Sequence, residues 1–264
     1  MPEGDTVHRI ATVLAREVTG RTLDRLELKG QGRIPELRGS TIESVEPVGK
    51  HMLIHLSAGW TVRVHLGMKG KWRRQHARQQ RPRGATVVMD VGETVYVCYR
   101  AYTAETVKTA HLRQHGKLSR LGPDLLAEPP DLDAAVRRAR LPAYRGREIG
   151  DLLMDQRVAA GIGNVYKSEV LFERRVHPRA RTGDLSAETI RGLYETASRL
   201  MRRNLGRRRR THVPLRRRPE PSSQRLWVYG RAGEPCLECG TRVERFAQGD
   251  MARSTYFCPT CQAR

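Results

Sequence analysis

Four of the five cysteines stand in two Cys-x-x-Cys hooks, Cys236-Leu-Glu-Cys239 and Cys258-Pro-Thr-Cys261, with eighteen residues between them. Thiolates at this spacing converge on one tetrahedral Zn²⁺. The ion would close residues 240–257 into a short hairpin carrying Arg242, Arg245 and Arg253. A zinc ribbon that only stiffens the C-terminus has the same spacing, so the hooks predict one structural zinc and leave the hairpin's role open. At its other end the chain reads Met-Pro-Glu-Gly-Asp. Initiator Met before Pro is normally removed, which would leave Pro2 with a free secondary amine. An α-amine titrates near about pH 8, against about 10.4 for Lys, so part of it is neutral at pH 7. A neutral amine can attack C1′ of a nucleotide, expel the base and form an iminium. That cation acidifies the C2′ protons, so the 3′-phosphate can leave. Glu3 is the neighbouring acid that could protonate a sugar oxygen or shuttle protons. Many chains begin Met-Pro without any such chemistry.

These residues need elements to hold them. Residues 5–19 read as a helix, with Val7, Ile10, Ala11, Leu14 and Val18 on one face, Asp5 as its cap and Gly20 as its end. Residues 22–100 read as strands. His51–Leu56 and Thr61–Leu66 suggest a hairpin around Ser57–Trp60, and Ala85–Met89 with Thr94–Tyr99 a second, turning at Asp90-Val-Gly92. Several strands behind one helix predict a β-sandwich or partly open barrel. Cys98 falls in the alternating run Thr94–Tyr99 and reads as a small buried side chain in a reducing compartment. Residues 77–84 read as an exposed loop. From about residue 130 the pattern is helical: Asp131–Arg140, Asp151–Val158, Val165–Arg174 and Ser186–Asn204, the last capped by Ser186. The middle pair flanks Ala159-Ala-Gly-Ile-Gly-Asn164. The Arg- and Pro-rich run from Gly206 to Pro221 reads as a flexible linker. The expected class is therefore α+β and multidomain: a β-sandwich domain over 1–125, a helical domain over 126–205, a linker over 206–225 and a zinc-finger hairpin over 226–264.

The 264 residues carry 49 Lys and Arg against 28 Asp and Glu, a formal charge of +21. Self-repulsion of that size fits a polyanionic partner. A membrane-surface role would need a basic amphipathic helix with aromatic residues opposite the charges. Only three Phe and three Trp are present, and they are scattered. No run of about 18 apolar residues exists to span a bilayer. The start lacks the basic-then-apolar pattern of a secretion signal. The expectation is a monomer in the bacterial cytoplasm, associated with the nucleoid.

Four segments resemble one family, in its order and over nearly the whole chain. Pro2-Glu-Gly-Asp-Thr-Val7 is similar to the start of the formamidopyrimidine-DNA glycosylase/endonuclease VIII family of DNA repair enzymes. Val48-Gly-Lys50-His-Met-Leu53 resembles its loop that places a lysine beside the lesion. Asp155–Glu169 resembles its helix-two-turns-helix motif. Val228–Cys236 and Arg253–Cys258 resemble the entry and exit of its zinc finger. The resemblance implies a bifunctional glycosylase and abasic-site lyase acting on damaged double-stranded DNA by β,δ-elimination. Pro2 would be the nucleophile and Glu3 the general acid. Lys50, His65, Asn164 and Arg253 would grip phosphates, and Met68 would fill the stack once the damaged nucleotide is extruded. Taken singly, Lys50 also reads as a solvated loop lysine, His65 as a half-buried strand histidine, Asn164 as a helix cap and Met68 as core. The zinc of Cys236, Cys239, Cys258 and Cys261 would be structural.

Two departures point to the endonuclease VIII branch and oxidised pyrimidines. Val107–Arg120 lacks the Arg-Arg-Phe-Gly-type segment that reads the opposite base in the formamidopyrimidine branch. The Arg-rich run 207–218 replaces that branch's Thr/Arg/Asp-rich capping loop. The eighteen-residue gap in the finger is also about two residues longer than the family pattern. The rival readings are a glycosylase for oxidised purines, a non-catalytic DNA-binding protein on the same scaffold, and a zinc-ribbon RNA or ribosomal protein. The last explains charge and cysteines but not Pro2-Glu3 or the Gly-Ile-Gly-Asn turn.

Overall fold

The computed structural model describes residues 2–77, 79, 83–207, 210–214 and 225–263. They form two compact units, Met1–Arg120 and Leu121–Arg264.

In the first unit, helix α1 (Gly4–Val18) buries Val7, Ala11, Leu14 and Val18, the stripe its apolar spacing predicts. Asp5 is not its cap: Glu3 occupies that position, and Asp5 sits in the first turn. Acidic side chains are favoured there by the exposed N–H groups and the helix dipole. Nine antiparallel strands follow in two sheets. One has the order β2 (Gly32–Arg33), β1 (Arg25–Leu28), β7 (Ala85–Val91), β8 (Thr94–Tyr99), β6 (Lys71–His76). The other has the order β3 (Ile42–Val48), β4 (His51–Leu56), β5 (Trp60–His65), β9 (Thr103–Lys108). Leu26, Val87, Met89 and Cys98 from the first sheet share one core with Val45, Met52, Ile54, Val62 and Val64 from the second and with α1. This is the predicted sandwich with its flanking helix. Both predicted hairpins form; the second turns at Gly92-Glu93, one residue beyond the expected centre, because Asp90 and Val91 still pair with β8. Ala77, Gln79 and Arg83 are exposed, as a loop requires; residues 78 and 80–82 lie outside the described residues.

The second unit contains α2 (Leu132–Ala139), α3 (Ile149–Leu152), α4 (Asn164–Glu173), α5 (Ala187–Asn204) and a hairpin, β10 (Glu244–Gln248) and β11 (Arg253–Phe257). Asp131 and Ser186 cap α2 and α5 through side-chain oxygens that accept from Ala134 N and Thr189 N. The expected helix 151–158 does not form, since α3 ends at Leu152. Two polar side chains divert the backbone. Asp155 Oδ1 accepts from Arg157 N at 3.0 Å, and Gln156 Nε2 donates to Met154 O and Ile162 O. Such local bonds compete with helix hydrogen bonds. Helix α4 is buried along nearly its whole length, packed against α5 and β11.

Part of the expected linker is core. Thr211, His212 and Val213 are buried, and Val213 joins Phe172, Trp227, Val228 and Val243 beneath the cysteines. The rest of the Arg-rich run, 208–209 and 215–224, lies outside the described residues.

Candidate nucleic-acid interface and metal centre

Pro2 precedes α1, and Glu3 stands at its N-cap. The Glu3 carbonyl accepts from Thr6 N and Val7 N, both at 3.0 Å, while its side chain does not cap the helix. The residue is fully buried. The helix packs on β3 and β4, and the turn between those strands carries Lys50. Gly49 makes that turn with φ +58°, a conformation glycine adopts without steric cost. His65 ends β5 directly opposite His51. Their ring centroids are 4.8 Å apart. Burial, then the charges of Lys50, Arg63 and Lys117, brings His65 down to about 4. Burial, then His65, Arg63, Lys117 and His115, brings His51 down to about 3. Both imidazoles are therefore neutral at physiological pH, held so by surrounding cations. Met68 is 59% exposed on the turn after β5, so it is not core.

Asn164 is the first residue of α4, after the cap position held by Gly163. Its Nδ2 donates to Ser254 O at 2.7 Å, which sets it beside Arg253. Arg253 pairs in register with Gln248 at the hairpin end, immediately after the turn 249–252. The structure thus brings Asn164 and Arg253 together in the second unit; Pro2, Glu3, Lys50, His65 and Met68 belong to the first. The hairpin's added length is absorbed without displacing Arg253 from β11. Gly249 turns the chain at φ +68°, where a Cβ would come within 2.2 Å of Asp151 Oδ1.

The four cysteine sulfurs all lie within 4.8 Å of one another. Cys239 and Cys258 are 3.5 Å apart, and Cys236 and Cys261 3.9 Å. Zn–S bonds of about 2.3 Å in a tetrahedron place sulfurs about 3.8 Å apart, so the donors fit zinc. Glu238 N and Cys261 N donate to Cys236 Sγ and Cys258 Sγ at 3.4 Å, which favours thiolate. Hydrogen bonds from Thr241 bring Cys239 down to about 6, whereas burial pushes Cys258 up. Four crowded thiolates need a cation to coexist.

Three groups escaped the sequence reading. Glu169 is fully buried, and its Oε2 accepts from His212 Nδ1 at 2.9 Å and Trp227 N at 2.8 Å. Its Oε1 accepts from Val228 N and Tyr229 N, both at 2.9 Å. Lys167 Nζ donates to Thr255 Oγ1 at 2.7 Å, and Thr255 Oγ1 to Gln248 Oε1 at 2.7 Å, binding α4 to both hairpin strands. Arg63 is buried on the outer face of the four-stranded sheet. Only Arg63 left a signal: polar Thr61, Arg63 and His65 alternate with Val62 and Val64, which marks a second, polar face.

A sandwich that opens on Pro-Glu, a helix-turn-helix unit and a cysteine-clasped hairpin together define a DNA glycosylase architecture. Three family models match in that order: the formamidopyrimidine-DNA glycosylase N-terminal domain over residues 1–104, its H2TH domain over 121–213, and the zinc finger found in FPG and IleRS over 233–264. The probable endonuclease 8 2 of Streptomyces coelicolor is 40% identical, covering 100% of this chain and 94% of its own. The DNA-(apurinic or apyrimidinic site) lyase Nei2 of Mycolicibacterium smegmatis and the formamidopyrimidine-DNA glycosylase of Heliobacterium modesticaldum are each 34% identical, over 99% of this chain and 99% and 100% of theirs. Lactococcus lactis Fpg, solved with abasic-site DNA, shares the fold at TM-score 0.82 and 23% identity, over 100% of both chains. The chain belongs to the formamidopyrimidine-DNA glycosylase/endonuclease VIII family of base excision repair enzymes. No helix among the described residues is long and apolar enough to cross a membrane.

Proposed function

We propose that this chain is a bifunctional glycosylase and abasic-site lyase of the endonuclease VIII branch, acting on oxidised bases, pyrimidines foremost, in double-stranded DNA. The observation that carries the reading is Pro2 followed by a fully buried Glu3 at the head of α1. With Met1 removed, the Pro2 nitrogen attacks C1′ and the C1′–N bond to the base breaks. Glu3 supplies a proton during ring opening. The secondary amine leaves a cationic iminium, which takes the electron pair released as C2′ loses a proton. The C3′–O bond then breaks, and a second elimination breaks the C5′–O bond. Hydrolysis of the iminium returns Pro2. Flipping the nucleotide costs a few kcal/mol, least at damaged or mispaired bases, which favours lesions.

Lys50 and His65 bind phosphates in the first unit, and Asn164 and Arg253 in the second. Met68, exposed on its turn, fills the vacated stack. One structural Zn²⁺, held by Cys236, Cys239, Cys258 and Cys261, neutralises the thiolates and fixes the mount of Arg253. The pyrimidine preference rests on the missing opposite-base segment in 107–120 and on relatives named endonuclease 8.

The test is borohydride trapping on duplexes carrying thymine glycol, dihydrouracil, 8-oxoguanine, uracil or an abasic site. Trapping on the first two, the abasic site and little else is expected. Preference for 8-oxoguanine would move the protein to purines, and DNA binding without any trapped adduct would make it a non-catalytic binder.

A further inference from the structure

The polar face of the four-stranded sheet carries a chain of contacts that the proposed chemistry does not use. Side chains alternate along β4 and β5, so Met52, Ile54, Val62 and Val64 enter the core while His51, Arg63 and His65 share the opposite face. Register places Glu105 of β9 directly beside Arg63. Arg63, 1% exposed, donates from Nε and Nη2 to Glu105 Oε1, the first at 2.6 Å, and from Nη1 to His51 Nδ1 at 2.8 Å. A guanidinium only donates, so His51 Nδ1 accepts and its ring proton sits on Nε2. His115 Nε2 lies 3.2 Å from the same Glu105 oxygen. The contacts therefore run from His115 through Glu105, Arg63 and His51 to His65, and end beside Lys50.

This chain fixes more than the sheet. It ties down residue 115 in the segment that follows β9. Lys117 is only two residues further on, a reach of about 7 Å. Lys117 is exposed, yet its charge acts on His51, His65 and Glu105, so it stands over this face rather than out in solvent. Lys50, Arg63 and Lys117 thus gather around two neutral imidazoles. The carboxylate among them, Glu105, is engaged by Arg63 and His115. Cations assembled beyond their acidic partners form a focus for an anion.

We propose that Lys117 is a phosphate-binding residue of the Lys50–His65 site, taking a DNA phosphodiester, and that His115, Glu105 and Arg63 position it. This rests on reading Lys50 and His65 as phosphate contacts. In this chain the 115–117 segment serves phosphate binding at the place in the sequence where the opposite-base-reading segment is missing.

The experiment measures binding of wild type and variants to a duplex with a stable abasic-site analogue, between about 50 and about 200 mM salt. Lys117→Gln is expected to flatten the slope of log K against log salt by about 0.9, one phosphate contact. Over that fourfold salt range, wild type then loses about 3.5-fold more affinity than the variant. Lys117→Arg should restore the slope. His115→Ala should flatten it in the wild-type background and change nothing further in Lys117→Gln, a coupling that a purely structural histidine would not show. Lys29→Gln, on the exposed turn after β1, is the charge control and should keep the slope. An unaltered slope in Lys117→Gln, or an equal loss in Lys29→Gln, overturns the proposal while normal wild-type trapping leaves the glycosylase reading standing. Wild type that neither binds nor traps the abasic duplex overturns both.

Discussion

Glu169→Gln is the sharpest test of how the second unit holds its finger. The carboxylate takes four hydrogen bonds, two at each oxygen: His212 Nδ1 and Trp227 N at Oε2, Val228 N and Tyr229 N at Oε1. A glutamine must present its amide nitrogen to one of those pairs. It will choose the Oε2 side, because neutral His212 can shift its ring proton and accept, whereas a backbone N–H cannot. That rearrangement still orphans Trp227 N, at about 1–3 kcal/mol for a buried unsatisfied donor. The bonds from Val228 and Tyr229 also lose their charge assistance, worth about half their strength. The sum is about 2–4 kcal/mol, a large part of a typical 5–15 kcal/mol stability. At about 2–4 °C per kcal/mol for a unit of this size, melting should fall by about 4–16 °C. The wild-type effect also depends on pH. Burial alone would raise the Glu169 pKa, but the His212 bond and charge and the Tyr229 and Val228 N–H groups outweigh it and hold the pKa below its usual value. A depressed carboxylate stabilises fully above its unfolded pKa of about 4.3 and less as pH falls through the folded value. The gap between wild type and variant should therefore be full at pH 7 and close in acid. Calorimetry across pH, with zinc release followed by a chromophoric chelator, reads both. A variant melting within about 1 °C of wild type at pH 7 would refute the reasoning.

The catalytic pair and the metal yield three further outcomes. Pro2→Gly should lose most base excision and borohydride trapping while retaining slow lyase activity on abasic sites; wild-type trapping by protein that still carries Met1 would eliminate the amine mechanism. Glu3→Gln should slow single-turnover excision on the order of 10²–10⁴-fold with duplex affinity kept, and an unchanged rate would remove Glu3 as the acid. Cys258→Ser should lower zinc content below one per chain and weaken DNA binding, as Arg253 loses its mount; full metal content would mean the ligand set is wrong.

Much of this was readable because it obeys a period or a spacing. The apolar stripe of α1 and the runs 51–56 and 94–99 announce their own geometry. The Cys-x-x-Cys hooks do so too, since Cα spacing dictates what four sulfurs can surround. The stretch 151–158 misled because its apolar spacing is helical while Asp155 and Gln156 spend their side chains on nearby backbone. Thr211–Val213 misled for the opposite reason. Arginines on either side make the segment look solvated, yet it is buried through one long-range bond from His212 to Glu169. Neither partner has a local pattern, so no window of sequence could pair residues 43 apart.

The zinc finger is consequently more than a metal-closed loop. A ribbon stabilised by its ion alone would need few bonds elsewhere, and its basic tip would move with the linker. Here the hairpin is tied to α4 at three levels that do not involve the cysteines. Glu169 gathers the backbone of Trp227, Val228 and Tyr229 ahead of the first hook. Lys167 reaches Thr255 and, through it, Gln248, whose Nε2 donates on to Glu148 Oε2 at 2.8 Å and Pro178 O at 2.9 Å. Asn164 holds Ser254, next to Arg253. The division of labour follows from the positions. The cysteines close the base of the hairpin, where they neutralise one another only with a cation. The bonds from α4 aim its far end, where Arg253 stands within one residue of Asn164's grip. Metal loss should then loosen the hook end first, and the bond from Asn164 to Ser254 should outlast it, so phosphate affinity should fall more gradually than zinc content during chelation.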